Sequence, residues 1–351
     1  MEGIRTDLAV EQPEVNQEAI RGVTLDSDQV EGIDKTEIRI TAEAEERMNR
    51  KPGTYVTLES EAIRKQDTAM QRKLTTVTAS VLRQLLVEEG IGEDARGLLI
   101  GLGNHMVTPD ALGPFVMEEV LVTSHLFELE YEQVANGYRS VSAFAPGVMG
   151  VTGMETSDII HGVVKETDPD FLIVIDALAS RSLSRVNGAI QLTNTGIHPG
   201  SGVNNKREEI SKEAYGIPVF SIGVPTVVDA VTITSDTIDY LLKHFQKHWE
   251  EKDRPSNILD VASNPFKRSN LEDAALPDES KRRSVLGMVG TLSMEEKTSL
   301  LKEVLTPLGH NFIVSPKEAD GFIRDMSLVL ASSLNEALHP AVASGEGEAY
   351  R

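Results

Sequence analysis

The chain has 351 residues, 40% of them apolar, a formal net charge of −21 and no cysteine. The acidic excess argues against a nucleic-acid binder, which needs clustered Lys and Arg for phosphate, and fits a protein that handles basic or neutral polypeptide. The lack of cysteine excludes a disulfide framework, a thiolate zinc site and a Cys nucleophile, and no apolar run approaches the roughly 18 residues of a membrane span.

Met1 to Asp7 lack the basic start and apolar stretch of a signal peptide, so a cytoplasmic protein is expected. The length suggests one large domain or two unequal ones. Residues 1–50 are acid-rich and weakly periodic, which reads as a mobile acidic arm with an extended segment over Ile4–Glu11 and a strand near Glu37–Ile40. Tyr55–Glu59 reads as a strand. Met70, Leu74, Val77, Val81, Leu85 and Leu86 then recur at helical spacing between Thr68 and Glu89, and Gly90 stops that helix.

Leu98, Leu99 and Ile100 form a short buried strand that runs into Gly101 and Gly103. Glycine tolerates backbone angles that a Cβ forbids, and Pro109 can open a helix as its first residue. Asp110 is thereby expected at a strand's C-terminal end, beside a helix N-terminus. Ala111–Thr123 follows as a crossover helix with Phe115, Val116 and Val120 on its buried face. Val141–Gly150 is a strand running into a Pro/Gly loop, and Ser157–Lys165 is a short helix feeding the strand Phe171–Asp176. Pro218–Pro225 is another buried strand, and residues 236–250 make a helix that includes Trp249.

Around 252–283 the texture becomes punctuated and charged, as in a linker or surface excursion. Two helices follow, near Met294–Val304 and Lys317–Ala337, separated by Gly309–Val314, and Ser344–Arg351 reads as frayed. There is no internal repeat and no low-complexity tract. The β-α-β-α alternation implies a mostly parallel sheet covered on both faces.

Asp110 and Asp176 each close an apolar strand, and chemistry in open α/β sheets sits at that end. Taken singly, each reads equally well as a helix cap or a salt-bridge partner. Taken together, two close carboxylates cannot easily both ionise, so one keeps its proton. Such a pair can activate water with one member and polarise a carbonyl with the other.

Gly101-x-Gly103 without the full dinucleotide fingerprint argues against a nicotinamide cofactor. His198 lies in the glycine-rich stretch Thr195–Gly202. It could join Asp110 and Asp176 as a metal ligand, or satisfy loop backbone. Ser201 lacks the elbow of a hydrolase nucleophile. His198, Gly200, Ser201 and Gly202 are the expected substrate-binding residues, since this loop and that at 225–236 could cradle a peptide backbone or an oxyanion.

Nine collinear stretches carry a resemblance over nearly the whole chain. They are Arg5–Glu11 (RTDLAVE), Tyr55–Ser60 (YVTLES), Val107–Pro114 (VTPDALGP), Pro146–Gly150 (PGVMG), Glu155–Ile160 (ETSDII), Ile175–Ala179 (IDALA), Gly196–Val203 (GIHPGSGV), Pro225–Val231 (PTVVDAV) and Pro307–Asn311 (PLGHN). The sequence resembles the germination proteases (spore proteases) of endospore-forming bacteria, a family of atypical aspartic endopeptidases.

The resemblance implies an endopeptidase that degrades the small acid-soluble proteins coating spore DNA. It implies a homotetrameric zymogen in the spore core that loses a short N-terminal segment. The family's two catalytic aspartates fall on Asp110 and Asp176. Its substrates are cut after an acidic residue that precedes a bulky apolar one and then Ala. Asp7, Leu8 and Ala9 imitate that pattern, so residues 1–7 are expected to be a pro-segment and 8–351 the peptidase. Only seven residues precede Leu8, fewer than the family's pattern suggests.

The expected fold is α/β, a three-layer α/β/α sandwich with peripheral additions, similar to hydrogenase-maturation proteases. In those proteases the equivalent acidic positions and a histidine contact a metal, which keeps a metal-assisted peptidase using Asp110, Asp176 and His198 as an alternative. A non-catalytic acidic binder of spore proteins is a second alternative. The leading expectation is a cofactor-free dyad, with no direct nucleic-acid or membrane partner.

Overall fold

Residue parity decides which way the central strands face. In the strands β4 (Gly97–Gly101) and β6 (Phe171–Ser180), Leu99, Phe171, Ile173 and Ile175 pack into one core layer. Their neighbours Leu98, Ile100, Leu172 and Val174 pack into a layer on the other face. Strands buried on both faces need helices on both faces, and the computed structural model has them. It describes residues 6–12, 20–128, 136–198, 209–251, 276–305 and 312–343. The chain divides into two units, residues 1–227 with 315–351, and residues 228–314.

In the first unit the strand order is β1-β2-β3-β7-β8-β6-β4-β5, with β1 Val23–Val30, β2 Ile33–Ile40, β3 Gly53–Glu59, β5 Val141–Phe144, β7 Ala189–Thr193 and β8 Val219–Asp229. The centre that carries Asp110 and Asp176 is parallel: β4 runs parallel to both β5 and β6. The strands β1, β2, β3 and β7 extend the sheet by antiparallel pairings. This α/β architecture with a parallel centre is the one expected from the alternating sequence pattern.

One face is covered by helices α1 (Thr68–Glu88), α2 (Leu112–Glu119) and α7 (Ala319–Leu338), whose Leu74, Leu82, Leu85, Val116, Ile323, Leu330 and Leu334 join the larger core layer. Asp67 caps α1, its carboxylate accepting from the amides of Ala69 and Met70 at 3.1 and 3.0 Å. Such a cap is worth about 1 kcal/mol. The other face is covered by α3 (Thr156–Thr167), which buries Ile160 against Leu98, Leu172 and Val219.

The reading of residues 1–50 as a mobile arm is corrected for its described part. Val23–Val30 and Ile33–Ile40 form a hairpin in full register from Val23↔Ile40 to Val30↔Ile33. Its two-residue turn is Glu31-Gly32, both at positive φ (55 and 86), as a type I′ hairpin turn requires. Most of β1 is exposed, so it has no apolar alternation to betray it. The inner face of β2 packs Ile38 and Ile40 with Ala9, Met48 and Tyr55.

The second unit holds α4 (Ala230–Glu251), α5 (Glu279–Leu286), α6 (Met294–Leu305) and the short β9 (Ile313–Val314). β9 pairs antiparallel with the last two residues of β8, Val228 and Asp229. The Asp229 carboxylate accepts from the Val231 amide at 2.7 Å, which starts α4 six residues before the predicted helix. Lys297 on α6 donates to Asp239 on α4 at 2.8 Å. Of the surface excursion expected at 252–283, residues 252–275 lie outside the described residues, as does the expected frayed end, 344–351. The described part includes α5, none of whose residues is buried.

Candidate active site

The last ladder position between β4 and β6 pairs Gly101 with Ile175, and the next amide, Leu102, donates to Ile175 at 2.8 Å. Asp176 is therefore the first residue beyond the shared ladder. Its carboxylate turns back on the chain to accept from the Ala177 amide at 2.9 Å. Asp110 reaches the same end of the sheet through the loop after β4. That loop closes on itself: the Asn104 amide donates to the Asp110 carboxylate at 2.8 Å and to its carbonyl oxygen at 3.0 Å. The Asp110 amide in turn donates to the Val107 carbonyl at 2.8 Å. Both aspartates are half-buried.

Two glycines let α2 approach the strand that feeds this loop. A Cβ on Gly101 would lie 2.2 Å from the Gly113 carbonyl oxygen, and one on Gly113 would lie 2.2 Å from the Leu102 carbonyl oxygen. Pro109 opens a single 3-10 turn, Thr108–Asp110, and α2 itself starts at Leu112 and ends at Glu119. The predicted crossover helix, Ala111–Thr123, is thus shorter at both ends.

The turn is held from two further directions. Thr226 on β8 donates its hydroxyl to the Pro109 carbonyl at 2.7 Å, and Thr108 donates to Asp320 on α7 at 2.7 Å. Arg324 of α7 lies over the Phe115 ring of α2 at 4.6 Å, a cation–π contact worth about 0.5–2 kcal/mol. Asp110 is thus fixed by backbone and by neighbours on two elements, the kind of supporting shell that precise chemistry requires.

Because β4, β5 and β6 are parallel, the loops that follow them emerge at one end of the sheet. They expose Met106 and Val107 after β4, Met149, Val151 and Met154 after β5, and Leu183 after β6. Sequence reasoning did not single out these side chains. Exposed thioethers adapt to varied apolar partners.

His198 pairs with a further acid, Glu209. Its Nε2 is 3.2 Å from the carboxylate of Glu209, which also pairs with Lys51. Gly200, Ser201 and Gly202 lie outside the described residues. Among the described residues no three His, Asp or Glu side chains gather as a set of metal ligands.

Asp7 and Leu8 are part of the packed fold. The Asp7 amide donates to the Ala179 carbonyl at 3.0 Å, and the Ala179 amide donates to the Asp7 carboxylate at 2.8 Å. Leu8 and Ala9 are fully buried. Gln191 on β7 accepts from the Ala9 amide at 2.7 Å and donates to the Asp7 carbonyl at 3.4 Å.

Glu11, which the sequence did not flag, is the anchor of this segment. One carboxylate oxygen accepts from the Ser180 hydroxyl at 2.8 Å, the Ser182 amide at 3.0 Å and the Arg185 guanidinium at 3.2 Å. The other accepts from the Arg181 amide at 2.6 Å and from the Thr6 hydroxyl. Burial disfavours the charge on Arg185, but Glu59 and Glu11 outweigh it and hold the guanidinium above its ordinary pKa.

Asp110, in the loop after β4, and Asp176, on β6 just past the shared ladder, are two half-buried carboxylates carried by neighbouring parallel strands and their loops, and comparison with known proteins puts the chain among the peptidases. It belongs to the germination protease family, whose sequence profile matches residues 4–351. The germination protease of Oceanobacillus iheyensis is 55% identical over 348 residues, 97% of this chain and 95% of that protein. The germination protease of a Bacillus cereus strain is 53% identical over 354 residues, 99% of this chain and 96% of that protein. Among solved structures, the NiFe hydrogenase maturation protease HycI of Thermococcus kodakarensis aligns over 42% of this chain and 80% of its own, at 18% identity and a TM-score of 0.27. The chain is a germination-related endopeptidase. Among the described residues no helix is long and apolar enough to cross a membrane.

Proposed function

We propose that this endopeptidase hydrolyses small acid-soluble spore proteins with an Asp110/Asp176 dyad and needs no cofactor. The observation that carries the reading is the parallel pairing of Gly101 with Ile175, since Asp176 is the next residue of β6 after that shared ladder and Asp110 lies in the loop that follows β4. One carboxylate, ionised, takes a proton from water while the water oxygen bonds to the scissile carbonyl carbon. The other, protonated, hydrogen-bonds the carbonyl oxygen as negative charge develops there. Collapse of the tetrahedral intermediate breaks the C–N bond, and the amine leaves with a proton returned by the dyad.

The exposed Met106, Val107, Met149, Val151, Met154 and Leu183 suit the apolar residue that follows the cut in the family's substrates. The loop of His198, Gly200, Ser201 and Gly202 is proposed to hold the substrate backbone. The protein is proposed to be a homotetrameric zymogen in the cytoplasm of the spore core, with residues 1–7 its pro-segment and Asp7–Leu8 the bond cut on activation. Incubation with a purified small acid-soluble spore protein tests the substrate directly. Defined fragments beginning with a bulky apolar residue then Ala are expected, whereas an intact substrate at all pH values would refute the assignment.

A further inference from the structure

We propose that Glu11 is a latch that holds the Asp7–Leu8 bond away from the dyad until the N-terminal segment lets go. The proposal rests on the reading that this bond is the one hydrolysed on activation.

A peptide bond must lie extended beside the attacking water to be cut, with its carbonyl free for the acid. Here Asp7 sits beside Ala179, three residues beyond Asp176, a separation of about 10 Å along a strand. The carbonyl of the bond itself is engaged by Gln191, and Leu8 on its far side is fully buried. The segment is thus docked next to the catalytic strand but out of register with its aspartate.

What fixes that register is Glu11. Its carboxylate is 2% exposed beside the Arg185 guanidinium. All of its donors outside the segment come from Ser180–Arg185, the turn that continues the Asp176 strand. Arg50 adds a bond to the Thr6 carbonyl at 3.0 Å. Charge-assisted bonds of this kind are roughly twice as strong as neutral ones.

An amide cannot replace this carboxylate. Whichever carboxylate oxygen becomes NH₂ would face a backbone N–H, that of Arg181 or that of Ser182, so Glu11→Gln puts donor against donor. The substitution lies outside the proposed catalytic and substrate-binding groups.

Two arms test the latch on the full chain. In an Asp176→Asn background, which removes self-processing, a low concentration of subtilisin should cut within residues 6–12 at least about tenfold faster when Glu11→Gln is added. In the chain with Asp176 intact, Glu11→Gln should speed the appearance of a Leu8 N-terminus, followed by mass spectrometry, by a similar factor. Ser180→Ala, which removes one donor, should shift both rates the same way by less. Unchanged subtilisin cutting with an unchanged melting temperature would overturn the latch. Faster subtilisin cutting with unchanged or slower appearance of the Leu8 terminus would overturn its control of processing. No Leu8 terminus from either form would instead refute the processing reading, and the subtilisin arm alone would then decide whether Glu11 holds the segment.

Discussion

Gly103 and Asp110 meet backbone to backbone. A Cβ on Gly103 would lie 1.9 Å from the Asp110 carbonyl oxygen, and Gly103 has φ +115. The loop that presents Asp110 can close only because this residue has no side chain. Gly103→Ala must therefore push Asp110 away or open the Asn104 bonds. Displacement of a reacting group, the role proposed for Asp110, by about 1 Å can cost 10²-fold in rate, so kcat/KM should fall by at least about that factor. The melting temperature should fall modestly, as expected for local strain of about 1–3 kcal/mol.

Thr226→Val keeps the shape of the β8 side chain and removes the hydroxyl that bonds Pro109. It should cost about 0.5–1.5 kcal/mol in chemical denaturation, the net worth of a hydrogen bond to this part-buried acceptor. It should lower activity less than Gly103→Ala, because the Asn104 clasp on Asp110 remains.

His339 supplies a pH test of the fold. Burial, assisted by the positive charge of Arg139, pushes its pKa from 6.5 down to about 4, and its Nδ1 accepts from the Arg139 amide at 3.2 Å. Between those two pH values the unfolded chain binds a proton that the folded chain refuses. Stability from the neutral imidazole is thus complete above pH 6.5 and is lost as pH falls towards about 4, by about 3 kcal/mol in all. His339→Gln, which can still accept from Arg139, should flatten the pH dependence of unfolding free energy in that window.

The central strands were legible because Leu98–Ile100 and Phe171–Ile175 are unbroken apolar runs; the expectation that Asp176 closes its strand is corrected, since β6 runs on to Ser180 through the more polar Asp176–Ser180. The hairpin partner β1 was not legible, since an edge strand with six exposed residues carries no alternation, and Glu31-Gly32 is an uncommon spelling of its turn. β7 escaped for a related reason: Gln191 interrupts its apolar pattern, yet Gln191 is buried because it bonds Asp7 and Ala9. Glu11 could not be recognised from its neighbours, because most of its donors come from a turn some 170 residues away.

The proposed activation of water by carboxylates alone also has a consequence for metals. His198 pairs with Glu209, so His198→Ala should retain the fold and much of the activity. Exhaustive chelation should leave the cleavage rate unchanged. Chelator inactivation that a single divalent ion reverses would favour the metal-assisted alternative.

The most direct measurement is cleavage of a small acid-soluble spore protein by Asp110→Asn and by Asp176→Asn, each checked for native melting behaviour. Neither amide can exchange the shared proton, and acid–base assistance is worth roughly 10²–10⁴-fold. The account predicts that each folded variant falls below about 1% of the parent rate. A folded variant of either kind that keeps more than that would contradict a shared-proton dyad.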